Sequence, residues 1–238
     1  MLENGGLLAD GCLTAPASHI PMRIVIADDH HLVRQAIRVL LEKQHDIQVV
    51  GEAADGQEAV ELVERLLPDV LVIDIAMPRL NGIEAIRRIH TLGVKTRIVV
   101  LSMYFDETLV RQAVRNGAKG YLLKRSVTEE LLLAVRAASQ GKTYLTPEVS
   151  ELILSGLPAP GSGSEKPEPF DRLTAREREV LQLIAEGNTN NSIAEQLQIS
   201  EKTVEKHRSS LMFKLNVHDV ASLVRIAIQH KLIFLERP

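Results

Sequence analysis

At 238 residues the chain is long enough for two ordinary domains, and 45% hydrophobic with 25% charged residues excludes a disordered or fibrous protein. A net charge of −3 predicts no blanket attraction to nucleic acid, and a single cysteine, Cys12, excludes a disulfide framework or a thiolate metal site. No apolar run approaches the roughly 20 residues that cross a bilayer, so no membrane partner is expected, and a reducing cytoplasm fits.

Residues 1–22 hold Glu3 and Asp10 but no Lys or Arg before Arg23, which excludes a secretory signal. They are expected to be a disordered tail, or an extension upstream of a start at Met22. From 23 to 141 short β-branched runs alternate with amphipathic ones. The runs RIVIA (23–27), IQVVGEA (47–53), VLVID (70–74), RIVVLS (97–102) and KGYLL (119–123) predict five strands. Helix-period segments fall near 31–43, 56–66, 83–91, 107–116 and 128–140, with Asp106 and Thr128 as N-caps. Continuously apolar strands alternating with helices predict an α/β domain, a doubly wound five-stranded parallel sheet of order 2-1-3-4-5. Residues 142–169 are expected to link it to a second domain, because nine of the fourteen residues in 156–169 are Gly, Pro or Ser. Residues 170–238 carry helix signals only and predict a small all-α domain of four helices. Thr174 and Glu177 form a capping box there, and NNSIAEQLQIS leads into EKTVEKHRSSLMFKL.

In a parallel sheet of that order the strand ends collect one set of polar residues. Asp28 and Asp29 follow the first strand, Asp74 ends the third, Ser102 the fourth, and Lys124 follows the fifth. Ligands bind at the carboxyl ends of such strands. Three converging carboxylates repel one another, and a divalent cation with hard oxygen ligands, Mg²⁺, relieves that conflict. Ser102 and Lys124 would contact phosphoryl oxygens, so the cleft fits phosphoryl transfer onto Asp74. Any one of these residues alone reads as a helix cap or a solvated charge; the ordered set carries the argument. His30 and His31 resemble metal ligands, but no further His or Cys lies near them in this map, and that reading is set aside.

The segments IVIADDH, LVIDIAMPRLNG, VVLSM and GAKGYLLK, in this order, resemble the receiver domain of two-component response regulators across 23–141. The resemblance implies that Asp74 is the phosphoacceptor, phosphorylated by a sensor histidine kinase. It implies that Asp29 binds Mg²⁺ directly, Asp28 through water, and Ala76 through its carbonyl. Ser102 and Lys124 would hold phosphoryl oxygens. Tyr121 matches the aromatic that turns inward when the hydroxyl engages the phosphoryl group, although its spacing equally fits a half-buried strand tyrosine. Arg125 stands where many receivers carry proline. Aspartate-nucleophile phosphohydrolases share the strand-end acid but carry a second acid two residues later; here that position is Ala76, so no enzymatic turnover is expected. A receiver serving only as a phosphorylation-independent dimerisation module would not need the complete acid set.

In the helical half Ile193, Ala194 and Leu197 share one face, while Val204, Leu211 and Leu215 mark the buried side of the next helix. That helix turns Lys202, Glu205, Lys206, Ser209 and Phe213 outward. Ser200 is its N-cap, at a helix terminus able to hold a phosphate. Residues 171–238 hold ten Lys and Arg against nine Asp and Glu, which predicts weak binding to double-stranded DNA by one copy and a need for dimers. The stretch LTAREREVLQLIAEGNTNNSIAEQLQISEKTVEKHRSSLMFKLNV is similar to the LuxR-type helix-turn-helix DNA-binding domain, and the two resemblances together imply the NarL/FixJ-type arrangement. By this resemblance Glu205, Lys206 and Ser209 face bases, Lys202, Thr203 and Arg208 lie on phosphates, and the last helix meets the partner of a homodimer. The implied role is a promoter-binding transcription regulator. Ser192, where Glu is common, could close a capping box with Thr189.

Overall fold

The computed structural model describes residues 20–155 and 168–234. The expected tail through residue 19, including Cys12, and the 156–167 part of the expected linker lie outside the described residues.

The inner strands of the first domain are buried on both faces, which is why their sequences are almost continuously apolar, whereas the two edge strands are largely half-buried. The strands are β1 (Met22–Ala27), β2 (Ile47–Ala53), β3 (Val70–Asp74), β4 (Arg97–Ser102), β5 (Gly120–Leu123) and β6 (Tyr144–Leu145), all parallel in the order β2-β1-β3-β4-β5-β6. Side chains alternate across β3. Leu71 and Ile73 pack under α2 (Gly56–Leu66), α3 (Gly82–Leu92) and α4 (Glu107–Arg115), whereas Val70 and Val72 face α1 (His31–Glu42) and α5 (Val127–Ser139). The sheet has six strands, not five. Part of the expected linker, 142–155, supplies β6 beside β5 and then α6 (Pro147–Ser155), whose Val149 is fully buried against α4 and the core. A two-residue strand has too little periodicity to announce itself.

Asp106 caps α4 by accepting from the Thr108 and Leu109 amides at 3.0 and 3.2 Å. Thr128 does not cap α5. That helix starts one residue earlier, at Val127, after a 3-10 turn over Lys124–Ser126 that already directs the chain into it.

The second domain holds four helices: α7 (Ala175–Ala185), α8 (Asn190–Leu197), α9 (Glu201–Leu215) and α10 (Val220–Gln229). The capping box of α7 is complete in both directions. Thr189 caps α8 by accepting from Ser192 N, but the Ser192 hydroxyl donates to Asn188 Oδ1, so the box does not close. Val180, Leu181, Ile193, Val204, Leu211, Leu223 and Ala227 form the core. Packing of these faces, more than intrinsic propensity, holds helices this short.

Candidate functional site

Strand register assembles the cleft. Ala27 lies opposite Ile73, so the next residues out, Asp28 and Asp74, are neighbours across the β1–β3 seam. Asp74 pairs with Leu101, which places Ser102 one step beyond it, and Ser102 pairs with Leu123, the residue before Lys124. Four sequence-distant residues therefore meet at one sheet edge. The chain leaves Asp74 by a tight return in which Gly82 N donates to Ile75 O at 2.9 Å. A Cβ on Gly82 would lie 2.1 Å from the Asp74 carbonyl oxygen, so only glycine lets α3 begin this close to the acid.

Asp28 and Asp74 are almost fully buried, at 1% and 2% exposure, and the Lys124 ammonium sits 2.7 Å from Oδ2 of each. The Asp74 contact is a well-formed hydrogen bond; the Asp28 contact is close in distance but not aligned, and Asp28 Oδ2 has no hydrogen-bond partner. Asp74 Oδ1 accepts from Ile75 N at 2.7 Å. Burial raises the Asp74 carboxyl to about 6, against the lowering effect of Lys124 and with a further push from Asp28. The Lys124 ammonium is held above its ordinary value: burial alone would lower it, but Asp74 and Asp28 outweigh burial. Two raised values across one ion pair are consistent, because at Asp74 desolvation exceeds the single ammonium, whereas Lys124 has two carboxylates. With its carboxyl raised only to about 6, Asp74 is mostly ionised at neutral pH and accepts from Lys124 and Ile75 N.

Asp29 keeps 30% of its side chain exposed, and its Oδ1 has no aligned hydrogen bond, although His30 Nδ1 lies 2.7 Å away. Ligand atoms of Asp28, Asp29, His30 and Asp74 all fall within 4.8 Å of one another. His30 therefore joins the cluster, contrary to the expectation from sequence, while His31 opens α1. Hard carboxylate oxygens on Asp28 and Asp29 that lack an aligned hydrogen bond, beside a third carboxylate on Asp74, fit a divalent cation such as Mg²⁺. Ala76 is half-buried in the loop after Asp74.

Ser102 is fully buried and accepts from Tyr104 N at 3.0 Å. Tyr121 is fully buried, not half-buried, and its hydroxyl donates to Tyr104 O at 3.1 Å. Burial pushes that phenol well above its ordinary value, with Ser102 pulling the other way.

The second candidate surface lies on α9. Lys202, Glu205, Lys206 and Ser209 are exposed along one stripe, and Ser200 caps the helix by accepting from Thr203 N at 3.2 Å. Thr203 and Arg208 are half-buried, and Arg208 Nη1 donates to Asn190 Oδ1 at 2.7 Å, tied back to α8. Phe213 is 88% exposed, as its spacing predicts. Among the described residues this stripe is left exposed, and α9 packs chiefly on α7, α8 and the turn Pro169–Arg172.

Sequence reasoning missed a contact between the domains. Gln182 of α7 reaches the loop after Asp74, Arg178 Nε lies 2.8 Å from Glu84, and Arg88 Nη2 lies 2.8 Å from Glu179. Nothing local in the α7 sequence distinguishes a charge awaiting a partner domain from one awaiting water.

Comparisons with known proteins find two family matches along the chain. Residues 24–136 match the response regulator receiver domain and 171–227 match the luxR family of bacterial regulatory proteins. The chain is 42% identical over 218 residues to the oxygen regulatory protein NreC of Staphylococcus epidermidis, spanning 89% of this chain and 99% of that protein. It is 40% identical over 215 residues to NreC of Staphylococcus aureus, with the same coverage. Among solved structures, the Salmonella typhimurium RcsB response regulator superposes with a TM-score of 0.53 at 30% identity, covering 87% of this chain and 98% of that one. An RcsB–DNA complex gives 0.54 at 30% identity, covering 86% and 96%. A LuxR-family regulator from Aurantimonas gives 0.55 at 35% identity, covering 57% and 96%.

Proposed function

The chain belongs to the two-component response regulators that join a receiver domain to a LuxR-type helix-turn-helix domain, and on that premise we propose that it is phosphorylated on Asp74 by a sensor histidine kinase and then binds promoter DNA as a dimer. The observation that carries this reading is the buried, ionised Asp74 carboxylate at the end of β3, with Lys124 at 2.7 Å and Asp28 and Asp29 beside it. An Asp74 oxygen attacks phosphorus as the P–N bond of a kinase phosphohistidine breaks, and the imidazole leaves with the bonding electrons. Lys124 neutralises phosphoryl oxygens once Asp74 has become an acyl phosphate, and the Ser102 hydroxyl donates its hydrogen to a phosphoryl oxygen. Asp28, Asp29, Asp74 and the Ala76 carbonyl would hold Mg²⁺, which supplies charge neutralisation at the transferring group. With Ala76 two residues after the acceptor, no second acid stands ready to activate water, so the protein receives a phosphoryl group and does not turn it over as an enzyme.

On DNA, Glu205, Lys206 and Ser209 face bases, whereas Ser200, Lys202, Thr203 and Arg208 contact phosphates. Arg208 must first release Asn190. The segment that follows α10, meanwhile, lies on the receiver: Lys231 is 3.4 Å from Asp106 and Phe234 stacks on Tyr104 with centroids 4.5 Å apart. Since α9 is open, the form of switching favoured is release of the last helix for dimer formation. Dimers bound to DNA are the subject of the RcsB structures, which supports the same assembly here. No helix among the described residues is long and apolar enough to cross a membrane, in keeping with a cytoplasmic site of action. The test is to incubate wild type and Asp74→Ala with acetyl phosphate and Mg²⁺, following phosphoprotein, mass and promoter footprint. Phosphorylation, dimer formation and a stronger footprint in wild type alone are expected. Identical footprints with and without the phosphoryl group, or steady phosphate release at enzyme rates, would overturn the reading; slow self-dephosphorylation would not.

A further inference from the structure

Gln182 belongs to the helical domain, yet its side chain reaches into the receiver. It is 1% exposed, and its Oε1 accepts from Asn81 N at 2.9 Å. Its Nε2 donates to Met77 O at 3.1 Å and to Glu186 Oε1 at 2.8 Å. Glu186 in turn accepts from Arg79 N at 3.1 Å, and Asn81 Nδ2 donates to Leu232 O at 3.1 Å. Backbone groups of residues 77, 79 and 81 are thus all held by the second domain, three to seven residues after Asp74. Arg79 sits at φ +64°, a conformation that non-glycine residues rarely adopt, so its surroundings impose it. The loop cannot absorb movement at its other end, because Met77 N and Gly82 N both donate to Ile75 O and close it back on the acceptor.

We propose that Gln182 is a positioning residue for phosphoryl acceptance. Its amide clasps the 77–81 backbone in the docked arrangement, in which Lys124 bridges Asp28 and Asp74, and so slows transfer to Asp74. Acceptance requires Asp74 to give up its hydrogen bond from Lys124 and to take a bulky anionic group beside this loop. A loop restrained by buried hydrogen bonds to another domain resists that adjustment. The coupling is reciprocal: whatever docking costs phosphorylation, phosphorylation costs docking by the same factor in equilibrium terms. This route runs directly from the acceptor loop to α7, and it rests on the reading of Asp74 as acceptor.

The test uses the full chain carrying Gln182→Met, which keeps length but loses every hydrogen bond, and Gln182→Glu, which keeps an acceptor for Asn81 N but cannot donate to Met77 O. Both are incubated with acetyl phosphate and Mg²⁺ beside wild type. Both variants should phosphorylate faster, Gln182→Met by about fivefold or more, the lower end of ordinary coupling between sites. Amide exchange at Arg79 and Asn81 should quicken in Gln182→Met, and likewise in wild type once Asp74 is phosphorylated. A merely structural role would lower the melting temperature and leave the phosphorylation rate unchanged. Wild-type or slower rates in a folded variant, or unaltered exchange at Asn81, would overturn the clasp. Failure of wild type itself to form phosphoprotein would instead overturn the acceptor reading beneath it.

Discussion

Two buried carboxylates, Asp74 in the receiver and Glu177 in the helical domain, are displaced in opposite directions. Both lie below 5% exposure. Asp74 is raised to about 6, whereas Glu177 is lowered to about 2. Burial pushes each of them up, so the difference lies in their partners. Glu177 accepts from Lys214 at 2.7 Å, Ser210 at 2.7 Å, and both the amide and hydroxyl of Thr174 at 2.8 and 3.0 Å. Asp74 accepts from Lys124 and Ile75 N only, and it stands beside another acid. The comparison teaches that a structural acid is fully partnered, while the acid proposed as phosphoacceptor is left with capacity to spare.

The comparison can be broken most severely at Lys124. Lys124→Met removes the cation that lowers Asp74, so the Asp74 value should climb above about 6. Phosphoprotein formation from acetyl phosphate should fall roughly 100-fold, as expected for a lost charge-stabilising donor. Gel-shift quantification of the phosphorylated form checks this; an unchanged rate would mean that Lys124 has no part in transfer.

Glu177→Gln should destabilise the helical domain by about 3 kcal/mol at neutral pH, the equivalent of its displacement from the usual carboxylate range. The sign follows from a folded value below the unfolded one. The stabilisation is complete above about 4.5 and drains away as pH falls toward 2. Denaturant titrations of wild type and variant should therefore converge as the solution is acidified. A gap that stays constant would assign the loss to packing instead of charge. A smaller effect is expected for Ser210→Ala, about 1–2 kcal/mol, because one of several donors to a charged acceptor is lost.

The smallest change sharpens the other half. Asp28→Asn removes the acid that helps raise Asp74, so an NMR titration should place the Asp74 carboxyl lower than in wild type. The same substitution should weaken Mg²⁺ binding measured by calorimetry. A rise in the Asp74 value would show that Asp28 acts chiefly through its hold on Lys124.

The contrast also explains what could be read from the chain itself. Asp28, Asp29, Asp74, Ser102 and Lys124 were legible because parallel-strand order converts four separate strand ends into one cleft. The glutamate of the α7 capping box was legible because its spacing from Thr174 is local. Ser210 and Lys214, which complete the Glu177 site from α9, were not, since pairing between helices leaves no spacing signal. The same limit hid the bridging of Asp28 by Lys124 and the docking of Gln182 on Met77 and Asn81. It also hid β6, where two residues gain strand geometry only from lying against β5. Thr128 failed as a cap because the Lys124–Ser126 turn, set by tertiary contacts, starts α5 before it.

The central claim is that the incompletely partnered acid is the one that reacts. Its most direct measurement is peptide mapping of the full chain after incubation with acetyl phosphate and Mg²⁺. The account predicts one phosphoryl group, on the peptide bearing Asp74, absent from Asp74→Ala. A phosphoryl group on any other residue, or equal labelling of Asp74→Ala, would contradict it.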